Sequence, residues 1–191
     1  MTKGKRTKID GFKYPSADNI KGRTSTICRS MACTLLAREG CSPEEETLWK
    51  SFFPDKKCAY CGKRASHLDH LYALISDRKP TGYCTEPANL VPCCRECNQP
   101  KGNMYWEDFM RSDKCHHTSG SGSRDELEIV KAKEKRIEVM RKFQIAMPAN
   151  KVDISDEILD KWESILNEFD KKLDDAQNEL EDLKKLLYHE I

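Results

Sequence analysis

The sequence has no long apolar run. No stretch approaches the ~20 consecutive apolar residues with which a helix spans a bilayer, so we expect no membrane span. Residues 1–8 are charged, but no apolar run follows them, which argues against a secretory signal. We therefore expect a cytoplasmic protein.

Apolar residues are scarce throughout the chain. They make up 38% of its residues, and charged residues make up 34%. This composition argues against a single large core and favours a small one, supported by a metal or by long helices that pack together. The charge is uneven: residues 1–120 carry 20 Lys/Arg and 14 Asp/Glu, while residues 121–191 carry 13 and 18. A polyanion is expected to bind the basic front, although the acidic rear is also explained as a solvated helix.

Residues 1–54 are predicted to form a basic arm followed by two helices. Apolar spacing predicts the first helix over residues 25–39. Ser42 is followed by a proline and two glutamates, which has the form of a capping box with proline at the first helical position. A short second helix is expected there, and Pro54 closes it.

Residues 124–191 are predicted to be helical. The Gly/Ser stretch at 119–123 before them is interpreted as a linker or as a surface loop within one fold. A first helix breaks near Pro148, and Ser155 caps a long second helix. Its apolar positions follow steps of three and four: Ile158, Trp162, Ile165, Phe169, Leu173, Ala176, Leu180, Leu183 and Leu187. Two interpretations stay open. The stripe is buried in a helical hairpin against residues 125–145, or it forms a dimerising coiled coil.

Ten cysteines occur in the chain. In the cytosol clustered cysteines more often hold metal than form disulfides. Two Cys-x-x-Cys pairs suit a closed, structural Zn(II) site, namely Cys58 with Cys61 and Cys94 with Cys97. A redox-active pair is the alternative, and Cys93 replaces Cys94 as a ligand if the register shifts.

The other cysteines carry weaker signals. Cys115, His116 and His117 invite a second metal site but have no matching pair in the sequence. The remaining four, at positions 28, 33, 41 and 84, are expected to be small buried residues.

Polar residues whose side chains could take part in catalysis lie between the two Cys-x-x-Cys pairs and directly after the second pair. Asp69 and His70 come first, Asn89 precedes the second cysteine pair, and Asn98 follows it directly. If residues 66–71 form a strand, His67 shares a face with Asp69, and His70 lies on the other face. Taken singly, these residues suit a surface pair, a turn and a helix N-cap.

Their order resembles the zinc-bound form of the HNH endonuclease family. The resemblance covers residues 56–104, about a quarter of the chain. It implies a zinc-bound ββα-metal core at residues 55–118, with two antiparallel strands and a helix around a metal. The whole chain would then be a mainly helical α+β protein, with this core flanked by the N-terminal helices and the C-terminal helical region. Asn98 stands at the third position of the motif, where the family's namesake has histidine, so this would be an HNN variant.

The resemblance also implies roles for these residues. His70 would be the general base, since a neutral imidazole titrates near working pH. Asp69 and Asn98 would hold one divalent cation, Mg(II) or Mn(II), because both offer hard oxygen ligands. That cation would polarise the scissile phosphate and stabilise the departing 3′ oxygen. Asn89 would brace the loop between the strands and orient His70.

Three further residues are candidates for substrate contacts. His67 would touch a phosphate or assist the metal, although such a residue more often only packs. Lys101 follows the helix start and would meet a phosphate. Asn103 lies close enough in sequence to compete with Asn98 for its role.

The expected substrate is double-stranded DNA, which the resemblance supplies. A type II restriction endonuclease is the favoured biology, because a homodimer cuts a palindrome most simply. Two rivals remain: a non-catalytic zinc module that binds DNA or protein, and a phage-defence nuclease without sequence preference.

Overall fold

The computed structural model describes residues 8–9, 12–13, 20–38, 40–115 and 125–189. The helices are α1 (Thr24–Leu35), α2 (Pro43–Phe52), α3 (Arg95–Lys101), α4 (Trp106–Arg111), α5 (Glu126–Ala146) and α6 (Asp156–His189). The strands form two-residue or four-residue antiparallel pairs: β1 (Lys8–Ile9) with β2 (Phe12–Lys13), β3 (His67–His70) with β6 (Leu90–Cys93), and β4 (Ile75–Ser76) with β5 (Lys79–Pro80). The prediction of a mainly helical α+β protein is confirmed. None of the described helices is long and apolar enough to cross a membrane.

The local signals of the sequence account for the ends of several helices. The capping box of α2 is formed in both directions: the Ser42 hydroxyl accepts from the Glu45 N–H at 3.1 Å, and the Ser42 N–H donates to the Glu45 carboxylate at 2.8 Å. α2 ends before Pro54, as expected. Ser155 lies directly before α6, and its hydroxyl accepts from the Ile158 N–H at 3.4 Å.

The centre of the fold is a strand–strand–helix unit. β3 and β6 pair antiparallel, with His67 opposite Cys93 and His70 opposite Leu90. α3 begins directly after β6, and the Asn98 N–H donates to the Cys94 carbonyl in its first turn. The long connection between the strands therefore starts at His70, and the helix starts at the second cysteine pair.

A hydrophobic core surrounds this unit and joins distant parts of the chain. It takes residues from α2, α4 and α5 and from the strand pair, with Trp106, Phe109 and Phe143 among its fully buried members. Phe53 contacts Phe143 edge-on, with ring centroids 5.0 Å apart. α5 thus helps to build the central core and is packed on α2 and α4.

A second, smaller core explains how α6 buries its apolar face. Trp162 and Leu166 lie against α1 and Leu74, and the Trp162 indole N–H donates to the Arg78 carbonyl at 2.8 Å. The interpretation as a hairpin that buries the apolar stripe of α6 against residues 125–145 is therefore corrected. α1, and not α5, covers the first part of this stripe. The physical reason is that α5 has already placed its own apolar face in the central core.

Some expectations fall on residues that the structure does not describe. The Gly/Ser linker at 119–123 and most of the N-terminal arm lie outside the described residues, as do His116 and His117. Of the four cysteines expected to be buried, Cys28 and Cys84 are buried, but Cys33 and Cys41 are exposed.

Candidate metal centre and catalytic cavity

Four buried cysteines converge at one end of the strand pair. The Sγ atoms of Cys58, Cys61, Cys94 and Cys97 all lie within 4.8 Å of one another. The Sγ atoms of Cys61 and Cys94 are 3.6 Å apart. Zn–S bonds of ~2.3 Å in a tetrahedron place sulfur atoms about 3.8 Å apart, so the cluster has the size of a tetrahedral metal site. The four residues could hold a metal such as zinc, as the sequence predicted.

The backbone around the first cysteine pair is shaped to present its thiols. The Cys58 N–H donates to the Lys63 carbonyl at 2.6 Å, and the Gly62 N–H donates to the Cys58 carbonyl at 2.8 Å. Gly62 has φ +80°, which a residue with a Cβ adopts only under strain. A Cβ there would also lie 3.2 Å from the guanidinium of Arg136. The tight turn therefore requires glycine after the second cysteine.

The electrostatics of the cluster favour a bound cation. Neighbouring thiols, first that of Cys61, lower the pKa of Cys58 by hydrogen-bonding to its thiolate. Burial raises the pKa of Cys94 to about 12, and the thiol of Cys115 is the first cause of a raised pKa at Cys97. One thiolate is thus stabilised, while burial and hydrogen bonds to neighbouring thiols oppose ionisation of the others. A bound divalent cation would favour the ionised form of all four.

Arg136 on α5 supports the cluster from the side. Its Nε donates to the Tyr60 carbonyl at 2.9 Å, within the first cysteine pair. Burial lowers its pKa, and the nearby cysteines, first Cys61, oppose this effect. A guanidinium in this position compensates the negative charge of a four-thiolate site.

Two other cysteines lie in the same core. Cys93 is fully buried, and its thiol donates to the Cys94 carbonyl at 3.1 Å, but it is not one of the four converging residues. The alternative register, with Cys93 in place of Cys94, is therefore not adopted. Cys115 is buried as well. Among the described residues, no second group of three potential ligands converges.

A polar cavity of about 170 Å³ opens beside β3 and α3. It brings together four of the residues singled out in the sequence, and α1 adds a cation to its wall. The side chains that matter for chemistry are Asp69, His70, Asn98, Asn103, Arg29 and Cys33. The cavity thus contains a carboxylate, an imidazole, two carboxamides, a thiol and a guanidinium.

Asp69 is held by two buried partners. The Tyr60 hydroxyl donates to Asp69 Oδ2 at 2.6 Å, and the Nζ of Lys101 lies 3.0 Å from the same oxygen. Burial raises the pKa of Tyr60 well above its usual value, and Asp69 adds to this, so Tyr60 stays a donor. Both known contacts use Oδ2, which leaves Oδ1 as the oxygen suited to a ligand in the cavity.

Lys101 lies inside the protein and does not line the cavity. Its side chain is 1% exposed, and its Nζ donates to the His70 carbonyl at 2.8 Å. The expected contact of Lys101 with a phosphate is therefore corrected: a group buried to this extent cannot reach a polyanion. Its ammonium instead joins the side chain of Asp69 to the backbone of His70.

His70 is partly buried at the end of β3. Its Nε2 lies 3.0 Å from the Thr85 hydroxyl, which fixes the ring. Burial lowers the pKa of His70 below its usual 6.5; Asp69 opposes this, while Lys101 and Arg29 add to it. The imidazole is consequently neutral at neutral pH. If Thr85 accepts the Nε2 proton, Nδ1 carries the lone pair that can take a proton from water.

Asn89 is fully buried and ties together the connection between the two strands. Its Oδ1 accepts from the Tyr72 N–H at 2.8 Å. Its Nδ2 donates to the carbonyls of Tyr72 and Cys84, at 3.1 and 2.9 Å. Its own carbonyl accepts from the Leu71 N–H, directly after His70. Asn89 thus fixes the backbone on which His70 stands and does not line the cavity.

His67 is exposed and lies outside the cavity. Its Nδ1 is 2.7 Å from the Ser66 hydroxyl. The alternation rule predicted that it shares a face with Asp69, yet Asp69 and His70 line the cavity together. β3 has only four residues and ends at His70, so simple alternation does not decide which side chains reach the cavity.

Sequence reasoning missed several residues of these sites. Arg29 lies on α1, far from the cysteine frame, and Thr85 lies in the long connection between the strands. Arg136 comes from α5. No local pattern marks these positions, because only the packing of α1 and α5 on the centre brings them there. Tyr60, inside the first Cys-x-x-Cys pair, was the one that its position could have suggested.

Comparison with known proteins gave no match. No protein-family profile, no curated protein and no solved structure matches this chain. Its function is therefore argued from the two sites themselves.

Proposed function

We propose that this chain is a metal-dependent endonuclease of the HNH type that hydrolyses phosphodiester bonds in double-stranded DNA. The observation that carries the proposal is the polar cavity: Asp69, His70 and Asn98 line one small space beside a strand–strand–helix unit. A base, a carboxylate and an amide oxygen within one cavity form a set of groups that a purely structural zinc unit does not need.

The two metal positions have different donor chemistry. The four cysteines offer soft thiolates and fill a tetrahedral site, so Zn(II) bound there would be structural. In the cavity, Asp69 and Asn98 offer hard oxygens and line it together. Mg(II) fits such a pair, because it keeps several of its waters and needs only one or two protein carboxylates. A bound cation of this kind would supply Lewis-acid stabilisation of the developing charge on the phosphate.

The residues of the chain divide the remaining work. His70 takes the proton of the attacking water, and its lowered pKa keeps it unprotonated for this task. Thr85 fixes the ring, and Asn89 fixes the backbone that carries it. Lys101 and Tyr60 hold Oδ2 of Asp69, which orients the carboxylate.

Arg29 extends the proposal to the substrate. It lies on α1, outside the segment that resembles the nuclease family, and lines the cavity with His70 and Asp69. Its guanidinium matches the geometry of a phosphate. We assign it to the phosphate backbone of the DNA, the role first expected of Lys101.

Restriction is the favoured biology within this class. A palindromic DNA site is cut most simply by two active sites related by the two-fold axis of a dimer. A phage-defence nuclease without sequence preference would use the same chemistry as a single site. Sequencing of the DNA ends separates these two cases, because defined ends indicate restriction and random ends indicate the second.

A non-catalytic zinc module is the rival from another class. The contact between Asp69 and Lys101 favours it, because a buried ion pair can be purely structural. In that case the protein binds DNA or a protein partner and cleaves nothing.

The test is incubation of the purified protein with supercoiled plasmid in Mg(II), in Mn(II) and in EDTA. We expect nicked and linear products with either metal and none with EDTA, while the protein keeps its zinc under the metal conditions. Binding of DNA without any cleavage in either metal would instead support the zinc module.

A further inference from the structure

The apolar seam of α6 follows an unbroken heptad pattern. With Leu159 and Leu166 in place of Ile158 and Ile165, the steps alternate between three and four along the whole helix: Leu159, Trp162, Leu166, Phe169, Leu173, Ala176, Leu180, Leu183 and Leu187. The structure supports this choice, since Leu166 is 4% exposed and Ile165 is 45% exposed. Such a repeat is the pattern of a coiled-coil helix, in which the first and fourth positions face a partner helix.

The first half of the seam is used within the chain. Trp162 and Leu166 are buried against α1. Further along, the Ile20 N–H donates to the Gln177 side chain at 3.2 Å, so the short helical turn before α1 reaches this point of α6. The described contacts between α6 and the body therefore reach along α6 as far as Gln177.

The second half of the seam is exposed. Leu180, Leu183 and Leu187 are 50%, 60% and 66% exposed, and Leu186 beside them is 68% exposed. From Leu180 to Leu187 the helix rises about 10.5 Å, at ~1.5 Å per residue. A solvated helix needs only polar surface, so a continued leucine seam points to a partner helix.

A large apolar groove lies beside the N-terminal half of α6. This groove of about 670 Å³ lies between α1 and α6, and Met31, Leu35, Ile165 and Phe169 contribute to its lining. Phe169 belongs to both surfaces and is 40% exposed. The exposed leucines at 180–187 span one heptad, which alone makes a small interface, and the groove adds apolar surface on α1 and the first half of α6.

The charges beside the seam select a second copy of the chain in parallel orientation. Glu179 directly precedes the seam residue Leu180, and Lys184 directly follows the seam residue Leu183. They therefore occupy the g and e positions that flank the seam, five residues apart. In a parallel pair of identical helices, each Glu179 faces Lys184 of the other copy, which gives two opposite-charge pairs. In the antiparallel register that sets Leu180 opposite Leu183, Glu179 faces Leu186 and Lys184 faces Gln177, so neither opposite-charge pair forms.

We infer that α6 forms a parallel two-stranded coiled coil with α6 of a second copy, through Leu180, Leu183 and Leu187. The bodies of the two protomers then lie side by side at the same end of the coiled coil. This arrangement goes beyond the proposed chemistry and stands without it, because its evidence comes from α6 and α1.

Light scattering after gel filtration, over 5–100 µM protein, tests the inference. The wild-type chain is expected at twice its 22.0 kDa and to dissociate on dilution. Leu183→Glu is expected to shift the protein to a monomer, with at least a tenfold weaker association. The matched control is Ile145→Glu, at an 81% exposed position of α5, which keeps the dimer. Helical circular dichroism and zinc content check that both variants fold.

Charge exchange tests the orientation. Glu179→Lys and Lys184→Glu are each expected to weaken the dimer, and the double exchange is expected to restore it. A wild-type monomer throughout the concentration range overturns the inference, as does a dimer that Leu183→Glu leaves intact. A double exchange that fails to restore association overturns the parallel register. None of these readouts depends on nuclease activity, so they fail or succeed separately from the proposed function.

Discussion

Replacement of Lys101 by methionine tests whether this buried side chain holds Asp69 and the backbone of His70 in place. Methionine keeps most of the volume of the side chain but removes its ammonium. In the native protein that ammonium lies 3.0 Å from Asp69 Oδ2 and donates to the His70 carbonyl at 2.8 Å. Both side chains are buried, at 1% and 10% exposure. The variant therefore leaves a buried carboxylate with Tyr60 as its remaining known donor.

The expected cost follows from the burial. Removal of one partner from a buried ion pair typically destabilises a protein by about 3–5 kcal/mol, because the other charge stays uncompensated. For a chain of this size, 1 kcal/mol corresponds to roughly 2–4 °C in Tm. We therefore expect Lys101→Met to lower the Tm by about 6–20 °C. An exposed control is Lys50→Met, whose partner Glu46 is also exposed; its cost is expected below about 0.5 kcal/mol.

Thermal and urea unfolding, followed by circular dichroism with zinc in excess, measures both variants. The same series includes Asp69→Asn and the double variant with Lys101→Met. Because the two groups compensate each other, the double variant should cost less than the sum of the single variants, by more than about 1 kcal/mol. A Lys101→Met protein as stable as Lys50→Met would refute the reasoning, and additive costs would refute the coupling.

Three further predictions concern the metal, the base and the substrate. Cys61→Ser should lose the bound zinc and unfold the centre, as seen by metal analysis and circular dichroism, whereas Cys33→Ser at an exposed position should keep both. The cleavage rate should be constant above neutral pH and fall in acid as His70 takes up a proton, because burial places its pKa below 6.5; an inflection above pH 7 in the pH–rate profile would contradict this. Arg29→Ala should weaken DNA binding and reduce the slope of log K against log salt by about 1, and Arg29→Lys should retain more affinity. Arg95→Ala, outside the cavity, is the control, and an equal loss of affinity there would argue against a specific phosphate contact of Arg29.

Local signals of the sequence predicted what depends on neighbours in the chain. Ser42 and Glu45 form their capping box because both partners lie within one turn. The two Cys-x-x-Cys pairs converge because each spacing presents two thiols from a tight turn or a helix start. The mainly helical character followed from apolar periodicity in the same way.

What could not be predicted depends on packing between distant segments. Lys101 carries a charge and follows a helix start, so its complete burial beside Asp69 is not visible in the sequence. Ile165 and Leu166 are adjacent and equally apolar, and only the position of α1 decides which one is buried. Arg29 reaches the cavity by the same packing of α1. The chemistry assigned to Asp69, His70 and Asn98 stays a prediction that activity has to test.

The central claim is tested most directly by the plasmid cleavage rates of His70→Ala and His67→Ala in Mg(II), each compared with the unaltered protein. Both histidines lie on β3, but His70 lines the cavity while His67 is exposed outside it. We expect His70→Ala to abolish cleavage while DNA binding and zinc content are kept, and His67→Ala to cleave at close to the original rate. Full activity of His70→Ala would contradict the assignment of the base.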